Sequence, residues 1–378
     1  MAYDFPASPT PGQTFNNYVW DGEKWKLQSP PVTGAVRYDI AQGLTSTQKA
    51  QGRANIDVAR KNYIINGAMM VSQENGTTAG NINGYWPADQ FVGVITATTA
   101  VVTIAQVASR TPSGSPNRIR VAVTTADAAV AAGDSVRIQH AIEGLRVADL
   151  MAGTSSAKTI TIQFGVKAPA GTYCVAIWNS AVNQSYVAEY VIAAGEANTD
   201  VIKSITLTLN TTGTWATDNT PGLYVMWTLM SGTTSQMAAN IWGGAQFLGT
   251  ANQFNCMGTI NNVFELFDVS LTEGATAPPF AVPDYASELA LCQRYYHKQN
   301  AYLMGYAAAG SSTGQFFNYP VRMRANPTVA PFTGGAYSNA SAGSPSGGND
   351  MGFRAVLSPT VTGMGYYDNF TFVANARL

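Results

Sequence analysis

Ile160-Thr161-Ile162-Gln163-Phe164-Gly165-Val166 alternates apolar and polar or small residues at every step. A period of two sets Ile160, Ile162, Phe164 and Val166 on one face of an extended strand and the other three on the opposite face. The pattern recurs on both sides. Ile119, Val121 and Val123 alternate with Arg118, Arg120 and Ala122; Ile205, Leu207 and Leu209 with Thr206 and Thr208; Leu223, Val225, Trp227 and Leu229 follow the same rule. Gly, Asn and Ser turns separate the runs. Such repetition over residues 62–282 predicts a mainly β chain whose body is an antiparallel β-sandwich, and a stretch of about 220 residues suits a jelly roll.

The flanks read differently. Residues 1–35 are proline-rich and carry Phe15, Tyr18, Trp20 and Trp25, with Asp21-Gly22 as the turn of a short hairpin. So small a segment has no core of its own for these rings, so they are expected to pack on another chain or on symmetry mates. Residues 36–61 form a linker. Thr45 and Gln48 make a capping box for a short helix running to Asp57, with Ala50, Ala54 and Ile56 as its small apolar face. Residues 283–299 are a connecting helix capped by Asp284, with Leu289, Cys292 and Tyr296 to one side. Residues 300–378 are a smaller C-terminal β-sandwich: Phe317, Tyr319, Val321 and Met323 alternate, Tyr337–Asn349 is a polar loop, and Phe370, Phe372, Ala374 and Ala376 end the chain as a strand. A thin core of this size favours oligomerisation.

Only 11% of the 378 residues are charged, against roughly 25% in a typical soluble protein, and the net charge is −1. The surface is therefore carried by hydroxyls and amides. No basic run or stripe exists, which argues against nucleic acid and anionic lipid as partners. No apolar run is long enough to cross a membrane, and Met1–Gln13 lacks the cationic and apolar regions of a signal peptide. Cys174, Cys256 and Cys292 have no metal or redox spacing and read as buried apolar residues.

Catalytic chemistry is sparse. The two histidines, His140 and His297, both precede the one elbow-like run, Gly310-Ser311-Ser312-Thr313-Gly314, so no triad order fits. Gly133-Asp134-Ser135 leads into a strand rather than a helix. His140 shares the apolar side of its strand and reads as an interior, hydrogen-bonded histidine. A glycosidase would need two carboxylates about 5–10 Å apart; Glu143, Glu189, Glu265 and Asp268 are the available acids. No cofactor is expected, and single acids at a sandwich edge suit at most a structural Ca²⁺. Binding chemistry is plentiful: aromatic faces stack on sugars while amides and hydroxyls take up their hydroxyl groups. Trp178, on the strand face opposite Tyr173, Val175 and Ile177, is one candidate. Tyr186, Tyr190, Trp215 and Trp242 lie beside Asn/Gln/Ser/Thr-rich stretches, and Tyr337, Tyr366 and Tyr367 lie in the Gly-rich C-terminal region.

Several segments resemble phage tail-fibre sequences. Pro9-Thr10-Pro11-Gly12-Gln13-Thr14-Phe15 with Trp20-Asp21-Gly22-Glu23-Lys24-Trp25 is similar to a recurring N-terminal module. Leu44–Ile56 resembles the fibre linker pattern LTxxQKAQARANI, with Gly52 in place of Ala. Asn62–Gly67 with Tyr85–Phe91 resembles the opening of a carbohydrate-binding-module-like jelly roll, where the usual ADRW ending is Ala88-Asp89-Gln90-Phe91. Phe264–Gly274 with Glu288–Tyr296 resembles its end, and Tyr319–Thr328 the FPVxMRAxPT strand of a terminal fibre domain. The resemblance implies a virion protein made in a host cytoplasm, a homotrimer, attachment to other virion proteins through residues 1–35, and a distal end at 300–378 that meets a host-surface polysaccharide without catalysis. A structural head, neck or collar protein and a polysaccharide depolymerase are the rival readings.

Overall fold

The computed structural model describes residues 5–27, 45, 48, 52 and 61–378. Contacts divide the chain into two units, Met1–Ala59 and Arg60–Leu378. In the first, β1 (Thr14–Phe15), β2 (Tyr18–Trp20) and β3 (Trp25–Leu27) form one antiparallel sheet in that order. Asp21 Oδ1 accepts from the amides of Glu23 (2.9 Å) and Lys24 (2.8 Å), and Gly22 takes φ 106°, so the chain reverses at Asp-Gly and sets Trp20 opposite Trp25. Phe5 stacks on Trp25 at 5.2 Å, with Phe15 and Tyr18 against it. No side chain in residues 5–26 is fully buried, because strands of two and three residues enclose nothing. Thr45 and Gln48 exchange capping bonds: the Gln48 amide donates to Thr45 Oγ1 at 3.2 Å and the Thr45 amide to Gln48 Oε1 at 2.9 Å. Of the rest of that predicted helix only Gly52 is described, and Ala50, Ala54 and Ile56 lie outside the described residues.

The second unit opens with a jelly roll. Its strands are β4 (Tyr85–Ala88), β5 (Phe91–Thr96), β6 (Val101–Ala108), β7 (Asn117–Thr125), β8 (Ser135–Glu143), β9 (Thr159–Lys167), β10 (Gly171–Asn179), β11 (Ser185–Ile192), β12 (Val201–Thr208), β13 (Pro221–Ser231), β14 (Trp242–Gly243) and β15 (Val263–Glu273). They form a seven-stranded sheet, β14-β11-β10-β13-β8-β5-β4, and a five-stranded sheet, β12-β9-β15-β7-β6. The inner faces are the residues that alternation marked: Ile160, Ile162, Phe164 and Val166 from one sheet, Leu223, Val225, Trp227 and Leu229 from the other, all at most 1% exposed. Trp227 packs against Phe91 and Phe164, with ring centres 6.2 and 5.9 Å away. The outer face of the seven-stranded sheet carries a satellite cluster, where Cys174, Ala176, Trp178, Val187 and Met226 lie under Leu248 and Phe247.

The segments on either side of the jelly roll close on each other. The helix Tyr285–Gln293 starts at Asp284, whose carboxylate accepts from the Ser287 amide at 2.9 Å. Its Glu288 accepts from the Asn66 amide (2.5 Å), and Asn66 Nδ2 donates to the Asp89 carbonyl (2.9 Å). Buried Glu143 accepts from Arg294 Nη2 (2.6 Å), Arg294 Nε (2.9 Å) and Tyr295 Oη (2.6 Å). Thus the resembling stretches Asn62–Gly67, Tyr85–Phe91 and Glu288–Tyr296 are one hydrogen-bonded joint.

Beyond it, β16 (Tyr296–Ala307), β17 (Thr313–Asn318), β18 (Thr328–Val329), β19 (Thr333–Ser338), β20 (Ser341–Asn349), β21 (Gly352–Ser358) and β22 (Gly363–Asn375) make two small sheets around Leu303, Phe353, Phe370 and Phe372. Three expectations are corrected here. The connecting helix ends at Gln293, so Tyr296 opens β16 instead of lying on a helix face. Tyr337–Asn349 is not a loop: β20 pairs with β21 through two register shifts, which absorb its Gly, Ser and Pro residues. The strand through Phe317 stops at Asn318, since Pro320 cannot donate to a ladder.

Replacing Arg294 by Met should strand buried Glu143 beside a lost cation. Urea denaturation is expected to show a loss of about 3–5 kcal/mol; an unchanged midpoint would mean that this ion pair does not hold the joint.

Candidate functional site

Three of the aromatic residues singled out from the sequence meet at one rim of the sandwich. Tyr186 on β11 is in register with Trp242 on β14, the edge strand of the seven-stranded sheet, and their ring centres are 5.2 Å apart. Trp215, on the β12–β13 connection, meets Trp242 edge-on at 5.9 Å. The Trp242 indole N–H donates to the carbonyl of Thr208, the last residue of β12, at 3.2 Å. That bond ties the edge of one sheet to the edge of the other. The Trp215 indole N–H donates to the Thr212 carbonyl at 2.9 Å. Gly153, at φ +79°, lets this loop close: a Cβ there would come within 2.7 Å of Trp215 Cδ1.

All three rings pack on the core and remain half-buried. Asn179, Asn183, Gln184 and Asn210 bond to one another and to the loop beneath: Asn179 Oδ1 accepts from the amides of Asn183 and Gln184, each at 3.0 Å, and Asn179 Nδ2 donates to the Thr214 carbonyl at 2.7 Å. These amides hold the loop. Beside Trp215 lies a cavity of about 170 Å³ lined by Val147, Leu150, Met151, Leu209 and Leu223. Pockets that engulf a drug-sized ligand run to about 300–1,000 Å³. This one is too small to engulf such a ligand.

The other candidates are placed elsewhere. Tyr190 shares Tyr186's strand parity but lies mid-strand, 6% exposed, stacked on Tyr173 at 5.7 Å, and so is a core ring. Trp178 does lie on the outer face, yet the satellite cluster covers it and its N–H donates to the Phe247 carbonyl at 2.6 Å. Tyr367 is buried, donates to the Gly334 carbonyl at 2.8 Å, and stacks on Tyr337 at 4.0 Å. Neither Tyr190, Trp178 nor Tyr367 presents a ring face outward. Tyr337 and Tyr366 are exposed, and all three tyrosines of this group stand on β19 or β22 rather than on loops. Phe15, Tyr18, Trp20 and Trp25 cluster within the first unit.

The acids considered for catalysis each have their own partners. Glu143 is held by Arg294 and Tyr295; Glu189 accepts from Thr250 and Asn252; Glu265 is paired with Arg118 at 2.9 Å and Arg120 at 2.7 Å; Asp268 accepts from Thr111 Oγ1 and Ser115 Oγ. Among the described residues no group of three or more His, Cys, Asp or Glu is placed to hold a metal, and no helix is long and apolar enough to cross a membrane. The three cysteines are buried and free, with burial raising the thiols of Cys174 and Cys256 to about 11 and about 12. His140 is fully buried, its Nε2 3.1 Å from the Ile65 carbonyl oxygen, and desolvation draws it down to about 3.

No protein-family model matches the chain, and no curated protein does. Solved structures similar to it include the enzymatically active domain of tailspike protein 4 of bacteriophage CBA120, at 10% identity and TM-score 0.32, over 56% of this chain and 21% of that one. The family 11 carbohydrate-binding module of the cellulosomal cellulase Lic26A-Cel5E of Clostridium thermocellum is 11% identical, with TM-score 0.26, over 53% of this chain and 98% of that one. The CBM22-1 xylan-binding domain of Paenibacillus barcinonensis Xyn10C is also 11% identical, with TM-score 0.26, over 58% and 100%. The chain thus spans about a fifth of the tailspike domain's length.

His140 is neutral in the folded protein, whereas an unfolded histidine titrates near 6.5. Its contribution is complete above that value and is lost as pH falls towards the folded value. Between pH 7 and 5 this group should cost about 2 kcal/mol, with His297, which burial shifts the same way, adding to it. Thermal melts should show a shallower pH dependence in His140→Gln; an equal slope would refute the assignment.

Proposed function

We propose that the chain is a fibre-like virion protein that holds a phage particle to a cell-surface glycan by non-catalytic binding. The observation that carries this reading is the Tyr186–Trp242–Trp215 cluster at the sandwich rim with the small apolar cavity beside it. Aromatic edges and faces that stay half-exposed on a rigid sheet rim suit the apolar faces of sugar rings. The charge-poor surface and the tail-fibre resemblance along the chain support the same reading. Trp178, Tyr190 and Tyr367 drop out of the proposed site, while Tyr337 and Tyr366 mark a secondary contact in the C-terminal β-domain.

Such a rim gives weak, reversible contacts. Three copies on one trimer would reach useful avidity through effective concentration. In this reading the first unit, through Phe15, Tyr18, Trp20 and Trp25, binds other virion proteins, and its half-buried rings are covered there. The protein acts on the virion, outside the cell in which it is made.

Two measurements test this. On an array of host-surface polysaccharides, Trp242→Ala and Trp215→Ala should each weaken binding about tenfold, some 1.4 kcal/mol, with Tyr366→Ala changing it much less; equal binding by both tryptophan variants would reject the rim site. Light scattering of the full chain should give the mass of three chains. A monodisperse monomer would remove the avidity argument, and release of reducing ends from the polysaccharide would replace adhesion with hydrolysis.

A further inference from the structure

Arg137 projects from β8 away from the core, since its neighbours Val136 and Ile138 are buried within it. Its guanidinium lies over the Trp178 indole, 5.6 Å from the ring centre. Two long hydrogen bonds complete its contacts: Nε donates to Gln139 Oε1 at 3.4 Å and Nη1 to Ser135 Oγ at 3.3 Å. A guanidinium has five N–H groups, so both on Nη2 and one on Nη1 have no acceptor among the described residues.

Every other described arginine at comparable depth is paired or capped. Arg118 meets Asp200 and Glu265, Arg294 meets Glu143, and Arg377 meets Glu74. Arg146 and Arg324 donate to main-chain carbonyls. Arg137 has neither kind of partner. Along its row the register runs Arg137, Thr228, Cys174, Glu189. The acid in that row therefore stands three strands off, about 14 Å away, and is occupied by Thr250 and Asn252. Burial draws the guanidinium down to about 10.

A half-desolvated cation without a counter-charge works against stability. Sites that break such a local rule are where ligands bind. The surroundings fit one. Gln139 and Tyr224 share the outer face, and because Gln139 stands opposite Met226, Tyr224 is its diagonal neighbour. Gln139 holds the Nε side of the guanidinium, which leaves the Nη1/Nη2 end of a planar, two-pronged donor suited to carboxylate or phosphate.

We propose that Arg137, oriented by Gln139, forms a second binding position that takes an oxyanion, carboxylate or phosphate, carried on a saccharide or polyol chain. The nature of the carrier rests on the glycan-binding reading, but the two positions fail separately because they lie on different residues.

Titration calorimetry of the full chain tests it with three probes: an oligogalacturonide, a neutral galactan oligomer of equal length, and poly(glycerol phosphate). At least one anionic probe should bind tenfold or more tightly than the neutral one and weaken as salt rises. Which of the two binds identifies carboxylate or phosphate. Arg137→Gln should abolish that preference, Arg137→Lys restore part of it, and Trp242→Ala leave it intact. The Arg137→Gln melting temperature should equal or exceed that of the parent, because an uncompensated cation has been removed. No anionic preference in the parent, a preference that survives Arg137→Gln, or a drop of several degrees in that variant's melting temperature would each overturn the proposal.

Discussion

Two sheets share one core, and Trp227 stands in the middle of it between Phe91 and Phe164. That shared burial governs the rest of the jelly roll. Each strand must give one parity to the core, so a ring's fate follows from its parity and its distance from the strand end. Tyr186 and Tyr190 show both effects. They have the same parity four residues apart, but only Tyr186 reaches the open edge, where Trp242 spans from the seven-stranded sheet to Thr208 of the five-stranded one. The rim cluster is therefore both the plug of the sandwich and its exposed aromatic surface. These roles do not compete, because the three rings pack on the core and still remain half-buried.

The same economy of charge runs through the unit. Three of the buried acids are closely matched: Glu143 by Arg294 and Tyr295, Glu265 by two arginines, Asp268 by hydroxyls. An unmatched buried charge is costly, and this matching lowers that cost for these three. Arg137 stands out against that background. The joint built from Asn66, Asp89 and Glu288 ties stretches far apart in the sequence to one another through hydrogen bonds.

Much of the sandwich was legible because period-two alternation is a direct imprint of burial. The Asp21-Gly22 turn, the Asp284 cap and the interior place of His140 were legible for equally local reasons. Other features depend on what covers a face, and alternation is silent on that. Trp178 was correctly set on the outer face, yet the lid of Phe247 and Leu248 comes from about 70 residues along the chain, with no local signal. Tyr190 could have been assigned to the core from its parity with Ala188 and Ile192. The β20 strand was hidden because Gly, Ser and Pro are poor strand formers, and its pairing with β21 overrides their preference. The cavity beside Trp215 needed the short turn at Val147–Leu150, and the missing counter-charge of Arg137 is a property of space alone.

The account turns on the rim rings meeting a saccharide. A crystal structure of the protein with a surface oligosaccharide that it retains tests this most directly. Sugar density against Tyr186, Trp242 and Trp215, with the chain uncleaved, is the predicted result. Density confined to other surfaces, or a cleaved product held between two carboxylates, would contradict it.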